Sequence, residues 1–437
     1  MEIAIVGGGW SGLACAIEAT RLGHRVKLFE SARHLGGRAR VVPAVESNGL
    51  AYKLDNGQHI LIGAYHETLN LMSAVGLHES DVLLRLPMAL KYPDGAGLQF
   101  GTLPPPFDAL AGIALASGWS WLDKLSLIRA SVLWRLAGFT CEPTMSVAQL
   151  CAGIRPRVLQ DMIFPLCISA LNTPANRASA QVFLRVMKDA LFGARGSSNL
   201  LLPRTDLSSL FPDAAERWLT QRGAEIRLGH RVRELHRGND SCGWLVDGLP
   251  FDSVVLAMDS SNAASLIQSA QPRLGYQSDQ MLSWLQAASQ VNFEAITTVY
   301  AVASHTSLRR PMLALYSDET VNPAQFVFDR GQMGGPVGLL AFVVSASTTD
   351  KLECQRLVVD QAKRQLGLSV TPIQTIVEKR ATFACTPGLK RPTLAVDNNL
   401  YACGDYVEGP YPATLEGAVR NGLLAARAAA MAHVAAK

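Results

Sequence analysis

The chain is poor in charge: Asp, Glu, Lys and Arg make up 17% of its 437 residues, and the formal net charge is +4. No long block of lysine and arginine occurs and the net charge is small, so no nucleic-acid partner is expected. None of the eight cysteines stands in a C-x-x-C pair, which removes the usual zinc and dithiol patterns, and no metal site is expected. Scattered thiols of this kind fit a reduced, cytoplasmic setting. No uninterrupted apolar run approaches the ~18–20 residues of a membrane span. The chain is therefore not expected to cross a bilayer, although 49% hydrophobic residues leave it free to lie on the inner face of one. The apolar N-terminus does not read as a signal peptide, because it lacks a basic segment, carries Glu2 and is broken by glycines.

What the chain does have is concentrated first in its opening forty residues. Ile3, Ala4, Ile5 and Val6 form a short apolar run suited to a buried parallel strand. Gly7, Gly9 and Gly12 follow as G-x-G-x-x-G, and Leu13, Ala14, Ile17 and Leu22 then recur at helical spacing. Arg25 to Phe29 reads as a second strand closed by Glu30. Strand, turn, helix and strand are the context in which this motif binds a dinucleotide. Gly7 permits the tight turn, Gly9 lets backbone approach a pyrophosphate, and Gly12 lets helix and strand close together. The N–H groups at the helix start, around Trp10 and Ser11, face the phosphates. Glu30, with Ser31 beside it, accepts hydrogen bonds from ribose hydroxyls.

Further signals lie along the chain. Gly36-Gly37-Arg38 follows the ribose acid; the arginine is either a planar fork for phosphate or a solvated turn residue. Asp55-Asn56-Gly57-Gln58-His59 is a polar turn entering an apolar strand. His59 is either a proton donor, with an ordinary pKa near ~6.5, or a hydrogen-bonded core histidine. Residues 103–220 read as a mostly helical lid with few internal charges, in which Pro165 interrupts a helix. Within it Trp119, Trp121 and Trp134 stand among Lys124, Arg129 and Arg135, a pattern that suits a membrane interface or a cap packed on its own core. Residues 293–348 are rich in β-branched side chains and fit a mixed or antiparallel sheet. Near the C-terminus a strand ends in Gly404-Asp405, and a loop enters a helix whose start holds Thr414, Leu415 and Ala418. Taken alone, Asp405 is a cap or turn residue.

Together the glycine motif, Glu30, Gly36-Gly37-Arg38, Asp55 to His59 and Gly404-Asp405 resemble the flavin amine oxidase and phytoene-desaturase-like superfamily from end to end. The resemblance implies FAD as cofactor. It implies an α/β fold with a Rossmann-like FAD-binding domain of the glutathione-reductase type, an inserted mixed-sheet substrate domain and a helical lid. Residues 1–80, 221–270 and 391–437 would form the first domain, and 81–220 and 271–390 the second. It also implies site roles. Arg38 lies by the pyrophosphate, and Gln58 and His59 lie near flavin or substrate. Val232 pairs its backbone with the adenine, Asp405 lies near the ribityl chain, and the Thr414–Val419 helix start faces the flavin N1/O2 edge.

The Asp55–His59 stretch, the Leu171-Asn172-Thr173-Pro174 loop and the Glu408–Glu416 region are similar to the squalene-associated desaturase-like family, the hydroxysqualene dehydroxylases. That similarity implies a hydrophobic isoprenoid substrate, hydroxysqualene, which exchanges its hydroxyl for hydride from reduced FAD to give squalene. His59 leads as the acid, with Tyr411 and Glu408 behind it. No second G-x-G-x-x-G appears, so a separate electron donor is expected. The alternatives are a carotenoid-type desaturase, an amine oxidase, for which no flanking aromatic pair is evident, and a non-catalytic FAD-containing protein at a membrane surface.

Overall fold

The computed structural model describes residues 1–47, 49–101, 103–191, 193–238, 243–274, 278–304, 306–318 and 320–435. Cys242 lies outside them; the other seven cysteines are free thiols. The opening run is apolar at every position because its strand is central. Glu2–Val6 pairs in parallel with Arg25–Glu30 on one side and with Ser253–Leu256 on the other. Six strands lie in the order Glu225–Leu228, Arg25–Glu30, Glu2–Val6, Ser253–Leu256, Leu400–Ala402, Ala395–Asp397. The final pair is antiparallel and the others are parallel, so this sheet is mixed. Three distant stretches of chain thus meet in one sheet, and the strands that precede Gly7 and Gly404 are separated by Ser253–Leu256 alone.

The helix Trp10–Arg21 packs along the C-terminal helix Leu415–Ala435. Gly422 allows the approach, since a Cβ there would stand 2.2 Å from the Ser11 carbonyl oxygen. Residues 207–220, expected in the lid, pack instead on the other side of Trp10–Arg21. The cause is apolar matching: the Phe211 ring lies 4.7 Å from that of Trp10, and Leu207, Leu210, Ala215 and Leu219 join the same buried cluster.

A second, five-stranded sheet runs Met312–Ala314, Phe326–Asp329, Leu339–Ser345, Phe293–Val302, Thr371–Phe383. Its pairings are all antiparallel, which decides what the β-branched pattern left open. The helical part of the chain includes Phe107–Ala114, Trp121–Leu136, Phe164–Leu171 and Ala180–Leu191, the last two sharing a cavity wall with this sheet. Ser120 and Asp123 close a capping box at the start of the second of these. Pro165 interrupts a helix, as expected: residues 156–171 are helical without a gap, and the α pattern gives way to a wide π turn over Leu159–Ile163 just before the proline, whose missing N–H breaks the regular ladder. Among the described residues no helix is long and apolar enough to cross a membrane.

Candidate active site

A cavity of about 1030 Å³ runs from the glycine motif to the antiparallel sheet and the underside of the lid. Small-molecule sites commonly span ~300–1,000 Å³, so this one has room for more than a single small ligand.

One end is a cleft of bare backbone. Gly7 has φ 118°, and a Cβ there would stand 2.4 Å from the Ala257 carbonyl oxygen. Gly9 and Gly37 face each other, since a Cβ on Gly37 would reach 3.1 Å from the Gly9 Cα; beside them the Gly36 N–H donates to Gly8 O at 2.9 Å. Gly12 is not in the cavity wall. Its missing side chain lets the helix sit on the turn, because a Cβ would fall 1.9 Å from Gly7 O. The Glu30 carboxylate lines the cleft, held by the N–H groups of Gly8 and Ala32, each at 2.7 Å, and by the Ser31 hydroxyl at 3.1 Å. Trp10 and Ser11 also line it, but their side chains are committed: the indole N–H donates to Ala39 O at 3.2 Å and the hydroxyl to Cys403 Sγ at 2.9 Å. What they offer a phosphate is backbone N–H at a helix start.

Arg38 is no solvated turn residue. Its Nη2 donates to Asp405 Oδ1 at 2.6 Å and its Nη1 to Ala381 O at 2.8 Å, with both side chains in the cavity wall. Asp405 is thus a buried ion-pair partner, not a cap. Asn421 Nδ2 donates to Gly404 O at 2.8 Å and fixes the strand end to the last helix. Thr414 caps that helix, accepting from the Gly417 N–H at 3.0 Å; Thr414, Leu415 and Ala418 present its N-terminal turn to the cavity.

Val232 lines the cavity but lies outside the strand expected over His230–Leu235, which spans only Leu235–Arg237. The N–H groups of Arg233 and Glu234 donate to Asp247 Oδ1, at 2.9 and 2.8 Å, in place of a neighbouring strand.

Gln58 is held by a buried network. Arg330 donates to Gln58 Oε1 at 3.2 Å and pairs with Asp55 at 3.3 Å, while the Tyr300 hydroxyl donates to Asp55 O at 3.0 Å. Burial pushes the Asp55 carboxyl up to about 6, against the opposing pull of Arg330. The adjacent His59 lines the cavity, and its Nε2 is buried without a hydrogen-bond partner. Burial, and then the Arg38 charge, hold His59 down at about 4. It is therefore neutral at pH 7 and has no imidazolium proton to give. An orphaned ring nitrogen beside a backbone cleft and a free helix start is the donor set that a large polar cofactor would complete.

Glu408 is exposed and does not line the cavity, so it cannot reach a reacting group there. Its N–H donates to Pro392 O at 2.8 Å. Tyr411 does line the cavity, with a left-handed φ of 59°, and meets Tyr65 edge-on at 6.0 Å. This is an aromatic pair the sequence did not reveal, because its members come from distant segments. Burial, with Asp189 beside it, pushes the Tyr411 phenol up to about 12. Asp189 and Arg185 were also missed; their only sequence signal is an i, i+4 charge pair, a spacing common on solvated helices. The wall opposite the cleft is apolar, with Met88, Leu166, Met187, Ile296, Met312 and Phe326.

The sequence pattern of one family, flavin containing amine oxidoreductase, matches residues 10–430. The chain is 28% identical over 462 residues to hydroxysqualene dehydroxylase of Rhodopseudomonas palustris, covering 97% of each. It is 23% identical over 459 residues to 15-cis-phytoene desaturase of Synechococcus elongatus, covering 98% of this chain and 95% of that one. An oxidoreductase structure from Methanosarcina mazei superposes with a TM-score of 0.74 at 15% identity, over 98% of this chain and 100% of that one. That last likeness concerns the fold alone.

Proposed function

The chain belongs to the flavin containing amine oxidoreductase family, and we propose that within it the protein replaces the hydroxyl of hydroxysqualene by hydrogen, giving squalene. It is an FAD-dependent oxidoreductase of the amine oxidase and desaturase superfamily. The observation that carries the proposal is the apolar wall of Met88, Leu166, Met187, Ile296, Met312 and Phe326 in one cavity with the dinucleotide cleft. Full-length similarity to hydroxysqualene dehydroxylases, at 28, 27 and 23% identity, supports the same reading.

FAD supplies hydride when bound and reduced. The chain's own residues do the rest. The Gly9–Gly37 cleft, the Trp10–Arg21 helix start and Arg38 hold the pyrophosphate, Glu30 the ribose, and the Thr414 helix start the electron-rich edge of the ring. In the reaction a substrate C–O bond breaks, a C–H bond forms, and the oxygen leaves as water after taking one proton. Tyr411 is the donor this reading selects, since its phenol stays protonated at pH 7, while His59 is neutral and Glu408 lies outside the cavity. The apolar wall keeps water from the carbon that loses oxygen. Electrons come from a separate donor, because the sequence holds one dinucleotide fingerprint.

The substrate's insolubility belongs with a membrane surface, and the exposed face of the lid supports that reading. Trp121, Leu122, Leu125, Val132, Leu133 and Leu136 stand exposed along one side of their helix, next to Phe107 and Leu110. The acidic residues of 103–139, Asp108 and Asp123, are buried, so the formal charges on this face are the basic ones of Lys124, Arg129 and Arg135. That is the composition of a surface lying on anionic lipid headgroups. A smaller cavity of about 100 Å³ between these helices shares Met187 with the main one, which offers a hydrocarbon a route inward.

A second reading, an amine oxidase, is favoured by the Tyr65–Tyr411 pair at 6.0 Å. The test is anaerobic. Protein with reduced FAD is mixed with hydroxysqualene, expecting flavin reoxidation and squalene. Reoxidation failing there, with oxidised flavin bleached by an amine or a polyene instead, overturns the proposal.

A further inference from the structure

We propose that Asp189, Arg185 and Tyr411 form the subsite that binds the substrate's hydroxyl. The proposal rests on the dehydroxylase reading and gives that reaction the group that sets its specificity.

Asp189 and Arg185 stand one turn apart on helix Ala180–Leu191, joined by an Nε–Oδ2 bond of 2.6 Å. The same helix turns Val186, Met187 and Ala190 into the cavity wall, so Asp189 is a charge set among apolar neighbours there. Tyr411 comes from the loop at the head of the C-terminal helix, and its hydroxyl reaches Asp189. The lid and the cofactor-binding half of the molecule meet at this contact. The loop is strained in order to deliver the ring: Tyr411 and Ala413 both hold left-handed backbone, φ 59° and 58°, without being glycine. Such conformations persist where surrounding structure over-determines them, often at ligand sites. Here the Ala413 N–H donates to Asp405 O at 3.2 Å, and Tyr65 holds the edge of the Tyr411 ring.

Asp189 and Tyr411, in contact with each other in the wall of a cavity with an apolar opposite side, offer an all-carbon chain no polar gain. They fit an alcohol, with Asp189 accepting from its O–H and Tyr411 donating to its oxygen. They also fit an alcohol better than an ammonium ion. Each carboxylate near Tyr411 already has its own cation, Asp189 with Arg185 and Glu416 with Arg420 at 2.7 Å. The two guanidinium groups lie 5.9 and 5.1 Å from the Tyr411 ring centre. No net negative charge is left to attract a substrate cation.

The test is binding without turnover. FAD-loaded, oxidised protein is titrated separately with hydroxysqualene and with squalene, and the change in flavin absorbance gives a dissociation constant for each. The unsubstituted protein should prefer the alcohol by about tenfold, the worth of one or two hydrogen bonds. Asp189→Leu and Tyr411→Phe should each bring the two affinities close to parity while leaving squalene binding within about twofold. Should Asp189→Leu lose its FAD, Tyr411→Phe, which removes one oxygen atom, decides alone. A retained preference in Tyr411→Phe with normal FAD content, or no preference in the unsubstituted protein, overturns the subsite. Flavin reoxidation by hydroxysqualene in the parallel reduced sample would then leave the dehydroxylase reading standing; its absence would remove that reading itself.

Discussion

The guanidinium of Arg38 donates to the carboxylate of Asp405 at 2.6 Å and ties the glycine-rich start of the chain to the head of its last helix. Asp405 is buried and Arg38 keeps part of its side chain in solvent. Removing the arginine leaves a buried carboxylate without its cation, which costs ~3–5 kcal/mol where both partners are buried. Here the loss should be about 2–3 kcal/mol. Arg38→Met should therefore lower the melting temperature of the FAD-free protein and also weaken FAD binding at least tenfold. Arg38→Lys keeps charge but not the fork, so it should recover stability better than FAD affinity. Unchanged melting of FAD-free Arg38→Met would show that the pair is held by the fold without supporting it.

His59 gives a pH signature. Its folded pKa, about 4, lies below the ordinary ~6.5. Between those values the unfolded chain takes up a proton that the folded one refuses, so stability falls as pH drops. The neutral ring's contribution is fully present above about pH 6.5 and is lost as pH falls toward 4. From pH 7 to pH 4.5 the loss from this residue is roughly 2–3 kcal/mol. His59→Gln should match the parent at pH 7 and lose correspondingly less at pH 4.5. Urea unfolding of both proteins at the two pH values measures the difference. Equal losses would mean that the ring is solvated.

The dinucleotide cleft was legible because it is local: strand, glycines, helix and acid follow within thirty residues, and each residue type has one physical use there. Arg38 and Asp405 were legible as separate motifs, but not as a pair, since nothing in either stretch specifies the other. Residues 207–220 were misplaced for a related reason. Their helical periodicity says that one face is buried and not which core buries it; the Trp10–Phe211 contact decided that. Glu408 looked chemical by its type and neighbours, yet its side chain turns outward. Asp189 was overlooked because a charge pair at i, i+4 on a helix reads as solvated. Only the tertiary position of Tyr411 gives it chemical meaning.

Gln58 depends on a network that can be taken apart. Arg330 bridges it to Asp55, with both charged side chains buried at 3.3 Å. Breaking one side strands the other charge, so Asp55→Ala should cost ~3–5 kcal/mol, and Arg330→Met a similar amount. The double variant strands neither charge and should cost clearly less than the sum. Denaturant unfolding of the four proteins closes the cycle. Simple additivity would show that the two groups do not act on each other.

The lid face makes the last prediction. Eight large apolar side chains, Phe107, Leu110, Trp121, Leu122, Leu125, Val132, Leu133 and Leu136, are exposed there, beside basic charge and no exposed acid. Apolar insertion and headgroup attraction should both contribute, the second at ~1 kcal/mol per basic residue near the surface. The protein should therefore float with vesicles containing phosphatidylserine and less with pure phosphatidylcholine, and salt should release it in part. Leu125→Glu with Leu133→Glu places acid on the inserting stripe without touching the cavity wall. That double variant should lose vesicle binding at least tenfold while keeping its FAD and its turnover of detergent-solubilised substrate. It should fall behind only when substrate is supplied in vesicles. Equal rates from vesicles for parent and variant would mean that substrate reaches Met187 by a path that avoids this face.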